Sequence, residues 1–261
     1  MKKRLVLKIG TSTLTEGTNR ISYAKIKDIA KQIAALKKEY DFILVSSGAI
    51  AMAKQFIEIN DYTKKVDSKQ AMAAIGQPKL MGVYDGIFSR FGLKVAQCLM
   101  TYRDFKNTVA KTNTKNTINK LLQHDYIPIV NENDTVAIEE IVIGDNDKLS
   151  AFMAIVINAD LLVIASDIDG LYDKNPCLNK KAKFIKEVKN LNHVKSFIEE
   201  KKSNLGTGGM TSKIQAAKIC KQKKIEMWIV NGRKNNFLID ALQNKLSFTK
   251  FKLYPSNPKI S

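Results

Sequence analysis

Short apolar runs alternate with amphipathic segments along almost the whole chain, and this alternation constrains the fold more than any other feature. The runs at residues 5–7, 42–45 and 161–165 are apolar at consecutive positions. Strands that are apolar on both faces are typical of a parallel sheet covered by helices on both sides. The segment 21–40 has apolar residues at helical spacing. We therefore predict an α/β protein, a three-layer αβα sandwich around a mostly parallel central sheet.

The length of the chain, 261 residues, suits one large α/β domain. No convincing linker and no strong internal repeat interrupts the pattern. We therefore predict a single domain over 1–261. A division near residue 160 is expected to separate two lobes that share the sheet, about 1–160 and about 161–255.

Two local patterns carry further predictions. In the helical stretch 68–92, Pro78 predicts a break or a kink, because proline lacks the N–H that a helix needs. The alternation at 136–144 predicts a short hairpin.

Composition excludes several classes of protein. No apolar run approaches the roughly 20 residues of a membrane helix. The first residues lack the apolar core and cleavage site of a secretory signal, so we expect a cytoplasmic protein with no membrane partner. The chain has 3 cysteines and 2 histidines, and no C-x-x-C pair. We therefore expect no disulfide and no zinc or other protein-held metal site.

The formal net charge is +18, from 43 Lys and Arg against 25 Asp and Glu. Such an excess is one signature of nucleic-acid binding. Most of these cations are lysines, however, and they are spread over the whole chain. Nucleic-acid readers usually concentrate arginine and aromatic side chains on one face. We therefore expect a solvated lysine-rich surface and no nucleic-acid partner; a basic nucleic-acid-binding protein is the alternative from a different class.

The stretch LGTGGMTSK, residues 205–213, combines glycines, hydroxyl side chains and a lysine. It is not a P-loop, because the lysine of that motif follows its last glycine directly, whereas Gly209 is followed by Met210. The helix predicted after it would direct free N–H groups toward an anion. We predict a phosphate-binding loop with Lys213 in the first turn of that helix. The alternative is a surface lysine after a flexible loop.

Two other strand ends offer donors to an anion. Lys8 lies near the end of a predicted buried strand, where a lysine is costly unless it meets an anion. Gly10, Thr11 and Ser12 follow it with backbone and hydroxyl donors, which predicts a phosphate-binding corner. The alternative is a lysine that reaches solvent from an edge strand. The turn SSGAI at 46–50 suits an anion or is an ordinary serine cap.

Acidic and amide side chains cluster in the stretches VNENDTV and IGDNDKLSA, residues 130–136 and 143–151. At this density they can grip an ammonium group or orient cationic side chains. The alternative is that these residues form an Asx turn and a helix N-cap. That alternative explains one of the two clusters easily, but it explains the presence of both much less well.

The motifs KIGTS, SSGAI, VNENDTV, IGDNDKLSA, SDIDGLY and GTGGMTSK occur in the order found in the glutamate 5-kinases of the amino acid kinase family. The chain resembles that family over residues 3–232, and the ordered set is far more specific than any one motif. NEND followed by GDND favours the glutamate enzymes over aspartate, carbamate or uridylate kinases. The resemblance implies the amino acid kinase fold and ATP-dependent phosphorylation of the side-chain carboxylate of L-glutamate, the first step of proline biosynthesis.

The resemblance also implies a role for each matching residue. Lys8 and Lys213 would flank the transferred phosphoryl group, and Asp147 would hold the two lysines in position. The residues that would bind glutamate are Ser47, Asp134, Asn146, Asn131 and Asp145. The residues that would contact ATP are Lys8, Gly10, Thr11, Ser166, Asp167, Thr207, Gly208, Gly209, Met210, Thr211, Ser212 and Lys213. Ser166 stands where the family often has Thr, and it keeps the hydroxyl.

Further expectations come from the same resemblance. The first lobe would bind glutamate and the second would bind ATP, with Mg²⁺ on the nucleotide. L-proline would be a feedback inhibitor, and the protein would be a homo-oligomer, a dimer or a tetramer. Many bacterial members carry a PUA domain after the kinase domain, and we expect none here because the chain ends at Ser261. A related kinase for another small anionic substrate is the alternative within the same class.

Overall fold

The computed structural model describes residues 2–57, 65–137, 146–174, 176, 179–191, 194 and 209–252. Strands alternate with helices through these residues, as the sequence predicts. The strands are β1 (Lys3–Ile9), β2 (Tyr40–Ser46), β3 (Lys94–Met100), β4 (Tyr126–Glu132), β5 (Leu161–Ser166), β6 (Leu171–Tyr172), β7 (Phe184–Ile185), β8 (Glu187–Val188), β9 (Glu226–Asn231) and β10 (Thr249–Phe251). The helices are α1 (Thr11–Leu14), α2 (Tyr23–Leu36), α3 (Ala49–Ala53), α4 (Val66–Phe88), α5 (Thr108–Gln123), α6 (Asp147–Val156), α7 (Met210–Lys221) and α8 (Phe237–Leu242), with a 3₁₀ turn at Ser89–Phe91.

The main sheet has the strand order β3-β4-β2-β1-β5-β9-β10-β8. Neighbouring strands run parallel except β9 and β10, which are antiparallel. A second small sheet pairs β6 with β7. One half of the main sheet consists of β3, β4, β2 and β1, and the other half consists of β5, β9, β10 and β8, with β1 and β5 side by side in the middle. The mostly parallel sheet is confirmed. The division of the chain into two lobes near residue 160 stays a prediction.

Helices cover both faces of this sheet. Successive side chains of each central strand point to opposite faces, and the apolar ones on both faces need to be buried. In β1, Leu5 and Leu7 belong to one buried apolar cluster, and Val6 belongs to another. The first cluster includes residues of α2, α4 and α8, and the second includes residues of α5, α6 and α7. The three-layer sandwich is therefore confirmed. Lys8 has the same alternation as Val6, so its side chain lies on the α6 and α7 face.

Helix α4 continues through Pro78, so a break there is excluded, and the kink stays a prediction. Proline at 78 removes the donor that would bond the carbonyl of Ala74. Both residues are exposed, and water can take the place of the missing donor. The hairpin predicted at 136–144 lies almost wholly outside the described residues.

In the part of the chain that the structure describes, no helix is long and apolar enough to cross a membrane.

Candidate active site

One carboxylate joins the two lysines that the sequence singles out. Asp147 Oδ1 lies 2.7 Å from Lys8 Nζ, and Asp147 Oδ2 lies 3.1 Å from Lys213 Nζ. The three residues come from β1, α6 and α7, which pack together on one face of the sheet. Lys8 lies on a central strand between Val45 and Ile164. The edge-strand alternative for this lysine is therefore wrong.

This cluster is almost closed to solvent. Asp147 is 0% exposed, Lys8 5% and Lys213 7%. Ser212 Oγ donates to Asp147 Oδ2 at 2.9 Å. Burying charges is costly unless pairing and hydrogen bonds compensate. Two ammonium groups on one carboxylate leave an excess of one positive charge, so the cluster is suited to hold an anion.

The turn after β1 places backbone close to this excess charge. A Cβ added at Gly10 would lie 3.4 Å from Lys8 Nζ, so the backbone of this turn lies next to the ammonium group. The turn is tied to the end of β5, because Gly10 N donates to Ala165 O at 3.4 Å and Thr13 Oγ1 donates to the same oxygen at 3.2 Å. Thr11 begins α1 and is exposed. The predicted phosphate corner thus adjoins the Lys8 ammonium.

Buried amide groups form a second cluster beside the first. Asn146, the N-cap of α6, donates through Nδ2 to Ser46 O at 2.8 Å, to Asn131 Oδ1 at 2.8 Å and to Ser47 Oγ at 3.2 Å. Asn131 Nδ2 donates to Gln77 Oε1 of α4 at 2.8 Å. Asn146 Oδ1 is buried and accepts no hydrogen bond from any described residue. A buried acceptor of this kind is costly unless a ligand or water supplies a donor.

Asp134 and Asp145 were predicted beside these amides. Asp134 is partly buried, and this burial raises its pKa from 3.8 to about 6. Its carboxyl group therefore titrates close to neutral pH, and a cation bound next to it would favour the charged form. Asp145 lies outside the described residues.

The ends of β5 and β9 form a third group. Ser166 Oγ donates to Asp167 Oδ1 at 3.2 Å, and Arg233 NH2 lies 3.7 Å from Asp167 Oδ2. Asp169 Oδ1 lies 2.6 Å from Lys234 Nζ. Burial raises the pKa of Asp169, but hydrogen bonds from Lys234 and Asn231 outweigh it and lower the pKa below its usual value. Each of the two carboxylates therefore faces a cation from the loop after β9.

Only part of the predicted glycine loop is described. Thr207 and Gly208 lie outside the described residues. Gly209 is the N-cap of α7 and is exposed, and a Cβ added there would meet no atom within 4 Å. Met210, Thr211 and Ser212 form the first turn of α7, where Thr211 is exposed and the Ser212 hydroxyl faces Asp147.

Sequence reasoning missed residues that reach the site from a distance. Gln77 lies in the middle of α4, and no local pattern distinguishes it from other polar helical residues. Tyr84, also in α4, has its hydroxyl 2.9 Å from Ser46 Oγ. Arg233 and Lys234 had one available signal, the polar run VNGRK that follows a buried strand.

The chain is similar to proteins of known family. Residues 3–231 match the profile of the amino acid kinase family. The chain is 45% identical to a glutamate 5-kinase of Clostridium acetobutylicum, over 94% of this chain and 91% of that protein. It is 41% identical to the glutamate 5-kinase of Clostridium tetani, over 95% of this chain and 94% of that protein. Against the enzyme of Caldanaerobacter subterraneus subsp. tengcongensis the identity is 43%, over 90% of this chain and 64% of that protein.

A solved structure has a similar fold. The crystal structure of UMP kinase from Ureaplasma parvum aligns with a TM-score of 0.68, covering 97% of this chain and 99% of that chain. The two sequences are 18% identical, so this likeness concerns the fold alone.

Proposed function

The chain belongs to the amino acid kinase family and, within it, to the glutamate 5-kinases, and from this premise we propose the reaction that it catalyses. It transfers the γ-phosphoryl group of ATP to the side-chain carboxylate of L-glutamate, giving L-glutamyl 5-phosphate for proline biosynthesis. The observation that carries the proposal is the buried Asp147 carboxylate between the ammonium groups of Lys8 and Lys213.

The chemistry of this transfer agrees with the side chains present. A carboxylate with a pKa of about 4.3 is ionised at neutral pH, so the acceptor needs no general base. The difficulty is electrostatic, because an anion attacks another anion while charge spreads over the phosphoryl oxygens. Fixed cations beside the transferred group lower that barrier. Lys8 and Lys213 supply them, and Asp147 sets their spacing.

The amide cluster is the proposed binding site for glutamate. Asn146 Oδ1 is a buried acceptor whose partner would be the substrate ammonium. Ser47 and Asn131 share the Asn146 amide hydrogens, and Asp134 would add a negative charge opposite the ammonium. Asp145 completes the proposed set.

The proposed ATP site lies at the ends of β1 and β5 and the start of α7. Its described members include Gly10 and Thr11 beside Lys8, and Ser166 and Asp167 after β5. Thr207 and Gly208, with Gly209 to Ser212, would contact the phosphates. Backbone donors at a helix start suit phosphate oxygens.

Mg²⁺ is proposed to arrive with the nucleotide. Among the described residues no three His, Cys, Asp or Glu side chains come together as a metal cluster. Magnesium commonly keeps several waters and binds through substrate phosphates, without an all-protein cage. When bound, it would neutralise phosphate charge, while the lysines of the chain orient the phosphoryl group.

Two further parts of this proposal come from the family resemblance: L-proline is a feedback inhibitor, and the protein is a homo-oligomer. We also propose that it acts in the cytoplasm. These predictions are independent of the reaction, and the failure of one would leave the reaction intact.

The test is acceptor-dependent turnover by the purified protein with Mg²⁺ and ATP. Hydroxylamine traps the acyl phosphate, and L-glutamate, L-aspartate and no acceptor are compared. The expected result is hydroxamate with L-glutamate only. Hydroxamate with L-aspartate alone would keep the kinase chemistry and refute the assignment of glutamate as substrate.

A matched pair of lysine variants on α7 links the turnover to the cluster. Lys213→Ala removes a buried ammonium, whereas Lys218→Ala removes an exposed one from the same helix. Turnover is expected to fall strongly in the first and to stay near wild type in the second. Equal turnover in the two variants would remove Lys213 from the mechanism.

A further inference from the structure

Lys25 is buried where a lysine is costly. It lies in the first turn of α2 and is 1% exposed. A buried ammonium is unfavourable unless acceptors surround it. A cation in the first turn of a helix also opposes the helix dipole. The hydrogen-bond acceptors around this ammonium group therefore indicate which part of the structure it stabilises.

The nearest acceptors of Lys25 belong to the loop after β9. Its Nζ donates to the carbonyl oxygens of Arg233 at 3.0 Å and Lys234 at 3.3 Å, and to Asn235 Oδ1 at 3.4 Å. Two carboxylates lie farther away, at 3.7 and 3.9 Å, those of Asp28 and Glu16. The ammonium thus fixes the backbone of the loop.

The same face of α2 holds the end of this loop and the first turn of α8. Asp28 Oδ1 accepts from Asn236 N at 3.2 Å, and Gln32 Oε1 accepts from Leu238 N at 2.8 Å. Lys25, Asp28 and Gln32 follow helical spacing. The path of the loop is therefore set by three polar side chains of one helix.

The loop carries Arg233 to the ends of two other strands. Arg233 Nε donates to Ser12 O, in the turn after β1, at 3.3 Å. Its NH2 lies 3.7 Å from Asp167 Oδ2, after β5. Strands β1, β5 and β9 are neighbours in the sheet. Arg233 therefore bridges the two segments to which the proposed function assigns ATP contacts.

The carboxylates of Asp167 and Asp169, just after β5, need cations beside them if a polyphosphate is to bind there. Asp167 and Asp169 would repel a polyphosphate, and the loop sets Arg233 against one and Lys234 against the other. The Arg233 side chain is 40% exposed. A guanidinium has five N–H donors, and among the described residues one hydrogen bond from its side chain, to Ser12, is present. Donors therefore remain for a ligand.

We infer that Arg233 is a further nucleotide-binding residue, which donates to the phosphate chain of ATP, and that Lys25 is the residue that positions it. The inference rests on the proposed function, since it takes the ends of β1 and β5 as the ATP site. Measuring the binding of Mg·ATP in the absence of glutamate tests this inference independently of which substrate accepts the phosphoryl group.

The first experiment measures the Kd of Mg·ATP by titration calorimetry with the full chain. Charge-assisted hydrogen bonds are among the strong ones, so Arg233→Met is expected to raise this Kd about tenfold or more. The KM for L-glutamate is expected to stay within about twofold, because the described polar contacts of the Arg233 side chain, with Ser12 and Asp167, lie on the proposed nucleotide side. Arg90→Met is the matched control, since Arg90 is exposed in the 3₁₀ turn after α4.

The second experiment tests the positioning role of Lys25. Lys25→Met is expected to raise the Kd of Mg·ATP, and the double variant with Arg233→Met is expected to bind no more weakly than Arg233→Met alone. A purely structural role would give additive effects. If Lys25→Met does not fold, Asn235→Ala replaces it, because it removes one acceptor of the ammonium from an exposed loop residue.

The outcomes separate the inference from the proposed function. If the wild-type protein binds Mg·ATP and Arg233→Met binds it with the same Kd, the nucleotide role of Arg233 is overturned. Additive effects of the two substitutions would overturn the positioning role of Lys25. Binding of Mg·ATP without glutamate-dependent hydroxamate would count against the proposed reaction only.

Discussion

Replacing Lys8 by Met should affect turnover far more than stability. The substitution removes the ammonium that lies 2.7 Å from Asp147 Oδ1 and keeps most of the apolar volume of the side chain. The ion pair of Asp147 with Lys213 and its bond from Ser212 can persist. The net charge of the cluster falls from one positive charge to zero, so the proposed phosphoryl site loses one of its two fixed cations.

Both effects of Lys8→Met can be estimated. A lost hydrogen bond to a charged group costs about 1.5–3 kcal/mol of stability. Folded proteins commonly have about 5–15 kcal/mol, so the variant should remain folded. A unit charge about 4 Å from the phosphoryl oxygens contributes about 4 kcal/mol at an effective dielectric constant of about 20. That corresponds to a loss of about a thousandfold in kcat.

The assay for Lys8→Met combines hydroxamate turnover with urea unfolding of the same preparation. Lys3→Met is the control, because Lys3 is exposed at the opposite end of the same strand. Its stability should change by less than about 0.5 kcal/mol, as is usual for exposed substitutions, and its kcat should stay near wild type. A folded Lys8→Met variant that retains kcat within about tenfold of wild type would refute the electrostatic role of this lysine.

Three further predictions test other parts of the structure. Because burial raises the pKa of Asp134 to about 6, kcat/KM for L-glutamate should rise about fourfold from about pH 5.5 to 7.5 as the carboxylate ionises; a pH–rate profile of Asp134→Asn that keeps this rise would exclude Asp134 as its source. Asn146→Ala should raise the KM for L-glutamate about tenfold or more and change the KM for ATP little, as initial rates at fixed co-substrate would reveal; equal changes in both constants would contradict the assignment of Asn146 to glutamate. Gly76→Ala should destabilise the protein by more than about 2 kcal/mol, because its added Cβ would lie 1.8 Å from Ala49 O. Gly82→Ala, on the open side of the same helix, should stabilise it by up to about 1 kcal/mol; urea unfolding with the same sign for both would contradict this packing.

The alternation of apolar strands and amphipathic helices predicted the fold class correctly, because both patterns are local. A strand such as β5, apolar at every described position from Leu161 to Ala165, needs cover on both faces whatever its neighbours are. At Pro78 the sequence left a break and a kink open, and the structure excludes the break. Whether a helix tolerates proline also depends on the exposure of its neighbours, and exposure is decided by packing.

The site was predicted only in part. The end of a buried strand pointed to Lys8, because ligands of parallel sheets bind beyond the carboxyl ends of the strands. The density of acid and amide side chains, together with the family resemblance, pointed to Asn146 and Asp147. Gln77 was missed, since nothing within one helix indicates that its amide meets Asn131. Arg233 was missed as well, because its neighbours Ser12 and Asp167 lie far away along the chain.

The sequence by itself determined the fold class, the family and the residue types available for phosphoryl transfer, since periodicity and ordered motifs are properties of the chain alone. The tertiary structure decided which of those residues meet. Lys8, Asp147 and Lys213 come from three separate elements, and only the packing of α6 and α7 on one face of the sheet brings their charged groups within 2.7 and 3.1 Å. The same holds for Lys25, whose role depends on acceptors from a loop more than two hundred residues away in sequence. Contacts of this kind depend on how buried surfaces fit together, which no local pattern specifies.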